Sequence, residues 1–144
     1  MRKLYPLLLV ALVGLAAYSN TFNVPFQFDD FGNIGENPVV KDLENFLSSR
    51  TGYDFNPRRF VGYFTFALNY HLGGLHTTGY HLVNLSFHVL CVLLLWGVLR
   101  RLEVRGAWLA AALFGVHPVM VESVAWVSEI KNVQSAFFGL LSLL

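Results

Sequence analysis

Cysteine is almost missing from this chain. The only one, Cys91, lies within an apolar run, which excludes a disulfide framework and a thiolate metal site. Charge is scarce as well: 13% of the 144 residues are Asp, Glu, Lys or Arg, against roughly a quarter in soluble domains. The formal net charge of +1 gives no reason to expect a nucleic-acid partner. Gly-rich phosphate loops, HExxH and GxSxG are absent, and no internal repeat or low-complexity segment is visible. What is present is apolar: 55% hydrophobic and 15% aromatic residues, with a mean hydropathy of +0.51. Scarce charge and long apolar runs together predict an integral membrane protein.

Arg2 and Lys3 precede an apolar run from Leu4 to Tyr18. This start fits both a secretory signal peptide, with Gly14 and Ala16 near a cleavage site, and a first membrane span of about 4–20. Either places residue 21 onward on the outer side. Residues 21–79 form a long outer loop that holds Asp29, Asp30, Glu36, Asp42, Glu44 and Asp54. In it Val39, Val40, Leu43, Phe46 and Leu47 recur at helical spacing, which predicts a short amphipathic helix lying on the membrane. Asn56-Pro57 breaks the chain, and Phe60 to Leu72 predicts an interfacial or re-entrant helix stopped by Gly73-Gly74. A second span covers about 80–99, and Arg100, Arg101 and Arg105 follow it at once. With Arg2 and Lys3 they place the short basic ends in the cytoplasm and the 21–79 loop outside, by the positive-inside rule. The return span, about 106–121, meets His117-Pro118, where the helix either kinks or stops and restarts. A fourth span begins near 133 and runs to Leu144 with no polar flank. Because a span needs about 20 residues, the sequence is expected to be the N-terminal part of a longer membrane protein.

The leading candidate site is the pair Asp29-Asp30, flanked by Phe28 and Phe31 beside the first span. A carboxylate near a bilayer is costly unless something needs it. In an extended turn adjacent side chains point apart, so one can face a substrate while the other anchors the loop. An Asp-rich turn capping the next helix would use the same residues. Glu122, Trp126 and Glu129 stand at i, i+4 and i+7, one face of a helix begun by His117-Pro118 and followed by Lys131. They form either a second polar wall of the site or an interfacial helix with Trp126 as a belt residue. Arg58 and Arg59 open the second loop helix and fit either a phosphate, held bidentately, or lipid headgroups. His81 and His88 share a helix face, but no Cys or carboxylate accompanies them at ligand spacing. Polar contacts within a helix bundle are therefore expected of them rather than haem or another metal.

Four stretches are more specific together than singly: Phe26-Gln27-Phe28-Asp29-Asp30 with Ile34 and Asn37-Pro38; Thr65 to Tyr70 with Gly73-Gly74-Leu75; Gly79 to Leu85 with His88; and His117-Pro118-Val119 with Glu122 to Glu129. In order and spacing the chain resembles the N-terminal membrane part of proteins that join a GT-C glycosyltransferase-like region to tetratricopeptide repeats. The eukaryotic relatives of that family are transmembrane O-mannosyltransferases acting on cadherins. The resemblance runs from about Tyr18 to the end. It implies an all-α, multi-span helical bundle of GT-C type with amphipathic helices in a long first extracytoplasmic loop, with more spans and repeats downstream. The implied chemistry is transfer of a mannose-like sugar, with inversion, from a polyprenyl-phosphate-linked donor to a hydroxyl, on a protein acceptor. The membrane would be the bacterial inner membrane, or the endoplasmic reticulum in a eukaryote. By that analogy Asp29 is the general base and Asp30 orients it or binds acceptor. Arg58, Arg59 and Lys131 face the lipid phosphate, with His117, Glu122 and Glu129 as further substrate-binding candidates. No metal ligand is assigned, and the residues leave dependence on a divalent metal open. Many relatives carry Arg-Pro in place of Arg59-Phe60, and Ser-Glu-Arg-Lys-Asp or Gly-Arg-Lys-Asp where this chain has Ser128-Glu129-Ile130-Lys131-Asn132. A non-catalytic membrane scaffold that presents repeats to partners is the other function such a chain could serve.

Overall fold

The computed structural model describes residues 12–48 and 50–144. The first expected span therefore lies outside the described residues over 1–11; 12–17 is helical. Described secondary structure is entirely helical. The loop contributes α1 (Leu43–Ser48), α2 (Thr51–Phe55) and α3 (Phe60–Gly73). Then come α4 (Thr77–Arg101), α5 (Ala107–Val116), α6 (Met120–Ala125) and α7 (Ile130–Leu141).

The axis of the fold is α4. Its 25 residues are mostly apolar and form one unbroken helix, the one described helix long and apolar enough to cross a membrane. At 1.5 Å per residue it reaches about 37 Å, more than the hydrocarbon thickness of a bilayer. α5 and α7 pack along it. Both connections around it turn on glycines in the left-handed region. Gly74 (φ 59°) ends α3, its N–H donating to Tyr70 O at 2.7 Å, and Gly106 (φ 78°) opens α5.

The interior of α4 is polar along one stripe. His81, Asn84, His88 and Cys91 stand at i, i+3, i+7 and i+10, a single helix face, and all are buried. Each donates to a backbone carbonyl of another segment. His81 Nε2 donates to Val24 O (2.9 Å), His88 Nε2 to Gly115 O (2.9 Å) and Cys91 Sγ to Val133 O (3.3 Å). The Asn84 amide donates to Trp126 O (3.0 Å) and Val127 O (3.3 Å). A carbonyl only accepts, so both imidazoles carry their proton on Nε2. Several of these carbonyls lie at helix ends or in loops, where an unpaired group in an apolar interior is costly. The expectation of bundle contacts for His81 and His88 agrees with these bonds.

The same stripe explains the path of the chain after α5. Pro118 forces His117 out of the helical region (ψ 130°), so α5 stops there and α6 restarts at Met120. Stop-and-restart is thus the outcome of the two the sequence allowed. α6 ends again at Trp126 (ψ 119°), whose carbonyl bonds Asn84, and a single 3-10 turn, Val127–Glu129, leads into α7. Glu122, Trp126 and Glu129 therefore do not share one continuous helical face.

In the loop, Asp42 Oδ1 accepts from Asn45 N (2.9 Å), which starts the helix at Leu43 rather than Val39. Pro38 to Lys41 is a turn whose Val40 is fully buried. Aromatic rings fill the space beneath: Phe46 lies 5.5 Å from Phe60 and 6.3 Å from Phe64, and Phe55 packs edge-on to Tyr63 at 5.0 Å. Gly52 is buried against the Phe46 ring, and a Cβ there would overlap it. Gly52→Ala is expected to lower the stability of the loop by about 1–3 kcal/mol, because the ring it meets has no free side to move into. The check is a faster limited proteolysis of residues 40–60 in the full-length protein.

Candidate functional site

The acidic pair sits where the chain reverses. Phe28 holds a left-handed backbone (φ 46°), which is uncommon for a bulky residue and concentrates at functional sites. Its ring is 80% exposed and stands 5.4 Å from Trp126. The next two residues then part company. Asp30 is 1% exposed, and both of its oxygens are taken: Oδ2 accepts from Gln27 N (2.9 Å) and Oδ1 from Ser128 N (2.8 Å). The second bond ties residues 98 positions apart, joining the loop to the turn before α7. Two charge-assisted bonds compensate a buried carboxylate. Asp29 points outward, with Oδ2 accepting from Asn33 Nδ2 at 3.1 Å. The backbone here is not extended: Asp30 is helical (φ -58°, ψ -37°) and Asp29 O accepts from Asn33 N at 2.8 Å, so the pair opens the helical turn that follows, with one side chain anchored and the other exposed.

Asn33 is the hub of the site. It lies on a single π-helical turn, Phe31–Gly35, a geometry that recurs at functional sites. Its Nδ2 also reaches Ser128 Oγ (3.2 Å), and its Oδ1 accepts from Tyr63 OH (2.8 Å) on α3. Asn37 Nδ2 donates to Asn33 O (3.1 Å), and Asn37 Oδ1 accepts from Val39 N (3.0 Å), so Asn37-Pro38 closes this turn. Ile34, fully buried, pins it from below.

Beside the hub the cations converge. Arg58 and Arg59, on the turn Pro57–Arg59, and Lys131, on the first turn of α7, line one groove of about 210 Å³ with Gln134, Val61 and Phe138. A narrower cavity lined by Asn33, Arg59, Tyr63, Ser128 and Lys131 shares its basic residues with that groove. Lys131 Nζ is paired with Glu129 Oε1 at 2.5 Å, and the other oxygen of Glu129 accepts from Asn132 Nδ2 at 2.6 Å. Asn132 thus gives Glu129 a donor. Arg58 and Arg59 are exposed and make no ion pair among the described residues. The structure thus brings Asp29, Asp30, Arg58, Arg59, Glu129 and Lys131 into one region. Asp29, Asp30 and Glu129 line neither cavity and join this region through their bonds to Asn33, Ser128 and Lys131; His117 and Glu122 also line neither, are exposed near the α5–α6 break, and His117 Nδ1 accepts from Val119 N at 3.2 Å within its own turn.

No family profile and no solved structure matches the chain. Curated relatives do. Protein O-mannosyl-transferase F38B6.6 of Caenorhabditis elegans is 30% identical over 96% of this chain and 22% of its own length. The human Protein O-mannosyl-transferase TMTC4 is 34% identical over 95% of this chain and 22% of its own length. Over nearly its whole length the chain is similar to the TMTC-type proteins. Human Protein O-mannosyl-transferase TMTC2, at 31% identity over 95% of this chain and 18% of its own length, matches the same region. The chain spans about a fifth of the length of these relatives.

Within this TMTC-like chain, sequence reasoning did not single out Asn33, Tyr63 or Ser128. Asn33 had one local signal, since it stands four residues after Asp29, the spacing at which side chains meet on a helical turn. Ser128 stood within the stretch Glu122 to Glu129 that carries the resemblance, with no role of its own, and Tyr63 had no signal, because it reaches the site from a distant segment.

Proposed function

We propose that this chain is part of a multi-span membrane glycosyltransferase of GT-C type that moves mannose from a polyprenyl-phosphate-linked donor to a hydroxyl of a protein. The observation that carries the proposal is the division of labour in the acidic pair. Asp30 is engaged on both oxygens, and its neighbour Asp29 offers an exposed carboxylate with Oδ1 unengaged among the described residues. A fixed carboxylate beside a groove rich in cations suits an acceptor base next to a phosphate leaving group. The names of these relatives support mannose as the sugar and protein as the acceptor.

In the proposed step Asp29 takes the hydroxyl proton as the acceptor oxygen attacks C1 of the sugar, on the face opposite the phosphate. The bond from C1 to the phosphate oxygen breaks, the polyprenyl phosphate leaves with the electron pair, and configuration inverts. Arg58 and Arg59 offset the charge on the departing phosphate, while Lys131, shared with Glu129, contributes less. His117 and Glu122 take no part in this step. α4 crosses the membrane, and exposed apolar side chains such as Leu82 and Leu90 on α4, and Trp108 and Leu113 on α5, face lipid. Arg100, Arg101 and Arg105 mark the cytoplasmic end and the 21–79 loop lies outside.

The test uses the full-length protein in membranes with polyprenyl-phosphate mannose and a Ser/Thr-containing acceptor peptide. Arg58→Ala with Arg59→Ala is expected to raise the donor KM about tenfold, the worth of one good charge-assisted contact. A donor kcat/KM that stays at the wild-type value removes the arginines from the phosphate site. Absence of transfer by the wild type from any lipid-linked sugar would sink the proposal as a whole.

A further inference from the structure

The Asn33 side chain touches three separate segments, and its chemistry leaves one orientation. A carboxylate only accepts, so the amide nitrogen must face Asp29, and Oδ1 then faces Tyr63, whose hydroxyl can donate to it. The second amide proton goes to Ser128 Oγ. Ser128 is the same residue whose backbone N–H holds Asp30. The two carboxylates are thus fixed by one module: Asp30 directly by the Ser128 backbone, and Asp29 through Asn33, which the Ser128 side chain and Tyr63 hold in place. Nothing else among the described residues engages the Asp29 carboxylate.

We infer that Asn33, set by Tyr63 and Ser128, is the positioning residue that orients Asp29 toward the acceptor hydroxyl. This rests on the assignment of Asp29 as the base. Holding Oδ2 leaves Oδ1 as the oxygen that receives the proton. The two substrates meet at this point, because Arg59 and Lys131 share a cavity wall with Asn33, Tyr63 and Ser128. Acceptor-side and donor-side groups are therefore set by the same few contacts, and a loose Asn33 would lower the rate of the chemical step more than the binding of either substrate.

The experiment compares Asn33→Ala, Asn33→Asp, Tyr63→Phe and Asp29→Asn in the full-length protein in membranes, with polyprenyl-phosphate mannose and an acceptor peptide. Asn33→Asp keeps the shape and the acceptor for Tyr63 but turns an oxygen toward Asp29. A purely structural role predicts that it is the milder change; a positioning role predicts that it is at least as harmful as Asn33→Ala. The expected result is a fall in kcat of up to about 100-fold for both Asn33 variants, with both KM values within about twofold of wild type. Tyr63→Phe, which leaves the aromatic packing in place, is expected to lose less, through the same parameter. In the Asp29→Asn background, Asn33→Ala is expected to cost nothing further. Full activity in Asn33→Asp, or equal losses from Asn33→Ala with and without Asp29, overturns the inference while leaving the base assignment standing. Full activity in Asp29→Asn overturns the base assignment itself.

Discussion

Asp29→Asn in the full-length protein is expected to lower kcat for sugar transfer by roughly 10²–10⁴-fold, the range a positioned general base supplies. Thermal stability should not change. Asp29 is exposed, and its one side-chain bond accepts from Asn33, which an amide oxygen can do equally well. The variant therefore keeps the hub and loses only the group that takes a proton. The measurement is transfer from polyprenyl-phosphate mannose in membranes, normalised to the amount of folded protein. Wild-type transfer by this variant would leave the family likeness intact and remove the carboxylate from the chemistry.

Asp30→Ala is expected to do the reverse, costing stability first and activity as a consequence. Both Asp30 oxygens hold backbone N–H groups, and Ser128 N, buried, has no other acceptor among the described residues. Removing the carboxylate orphans that donor and cuts the tie between the loop and the start of α7, a loss of about 2–3 kcal/mol. Asp30→Asn is expected to fall between, since an amide oxygen keeps one of the two bonds while its NH₂ opposes the other donor. The check is the unfolding midpoint of the detergent-solubilised protein, with protease sensitivity of residues 24–40 as a local probe. Equal midpoints for Asp29→Asn and Asp30→Ala would contradict the assigned division of labour. Together the two variants separate a residue that reacts from a residue that holds it, although they are neighbours in the chain.

The helical class was legible because its cause is local. An apolar run bounded by Thr77 and Arg100-Arg101 makes a long helix whatever it packs against, and Gly73-Gly74 stops the helix before it because only glycine tolerates the left-handed turn required. Pro118 announced a break, since it restricts His117 directly. The break at Trp126 had no such signal. It follows from Asn84, 42 positions earlier, whose amide takes the carbonyl at that point. The single helical face read for Glu122, Trp126 and Glu129 does not form for that reason: helical spacing was present, but the helix is not continuous. The convergence of Arg58-Arg59 with Lys131 had no local signal and was implied by the resemblance alone, because α3 and α7 meet across 69 positions through Gln134 Nε2 donating to Thr65 Oγ1 at 2.8 Å.

The acidic pair draws the same boundary most sharply. The sequence by itself determined that two carboxylates stand side by side next to an apolar helix, and that one of them could anchor the loop while the other faced outward. Which of them is buried could not be read there. That choice belongs to the tertiary structure, because the deciding group is a backbone N–H at Ser128, and every non-proline residue carries one. Only folding selects which N–H reaches Asp30, and by capturing Asp30 it leaves Asp29 free.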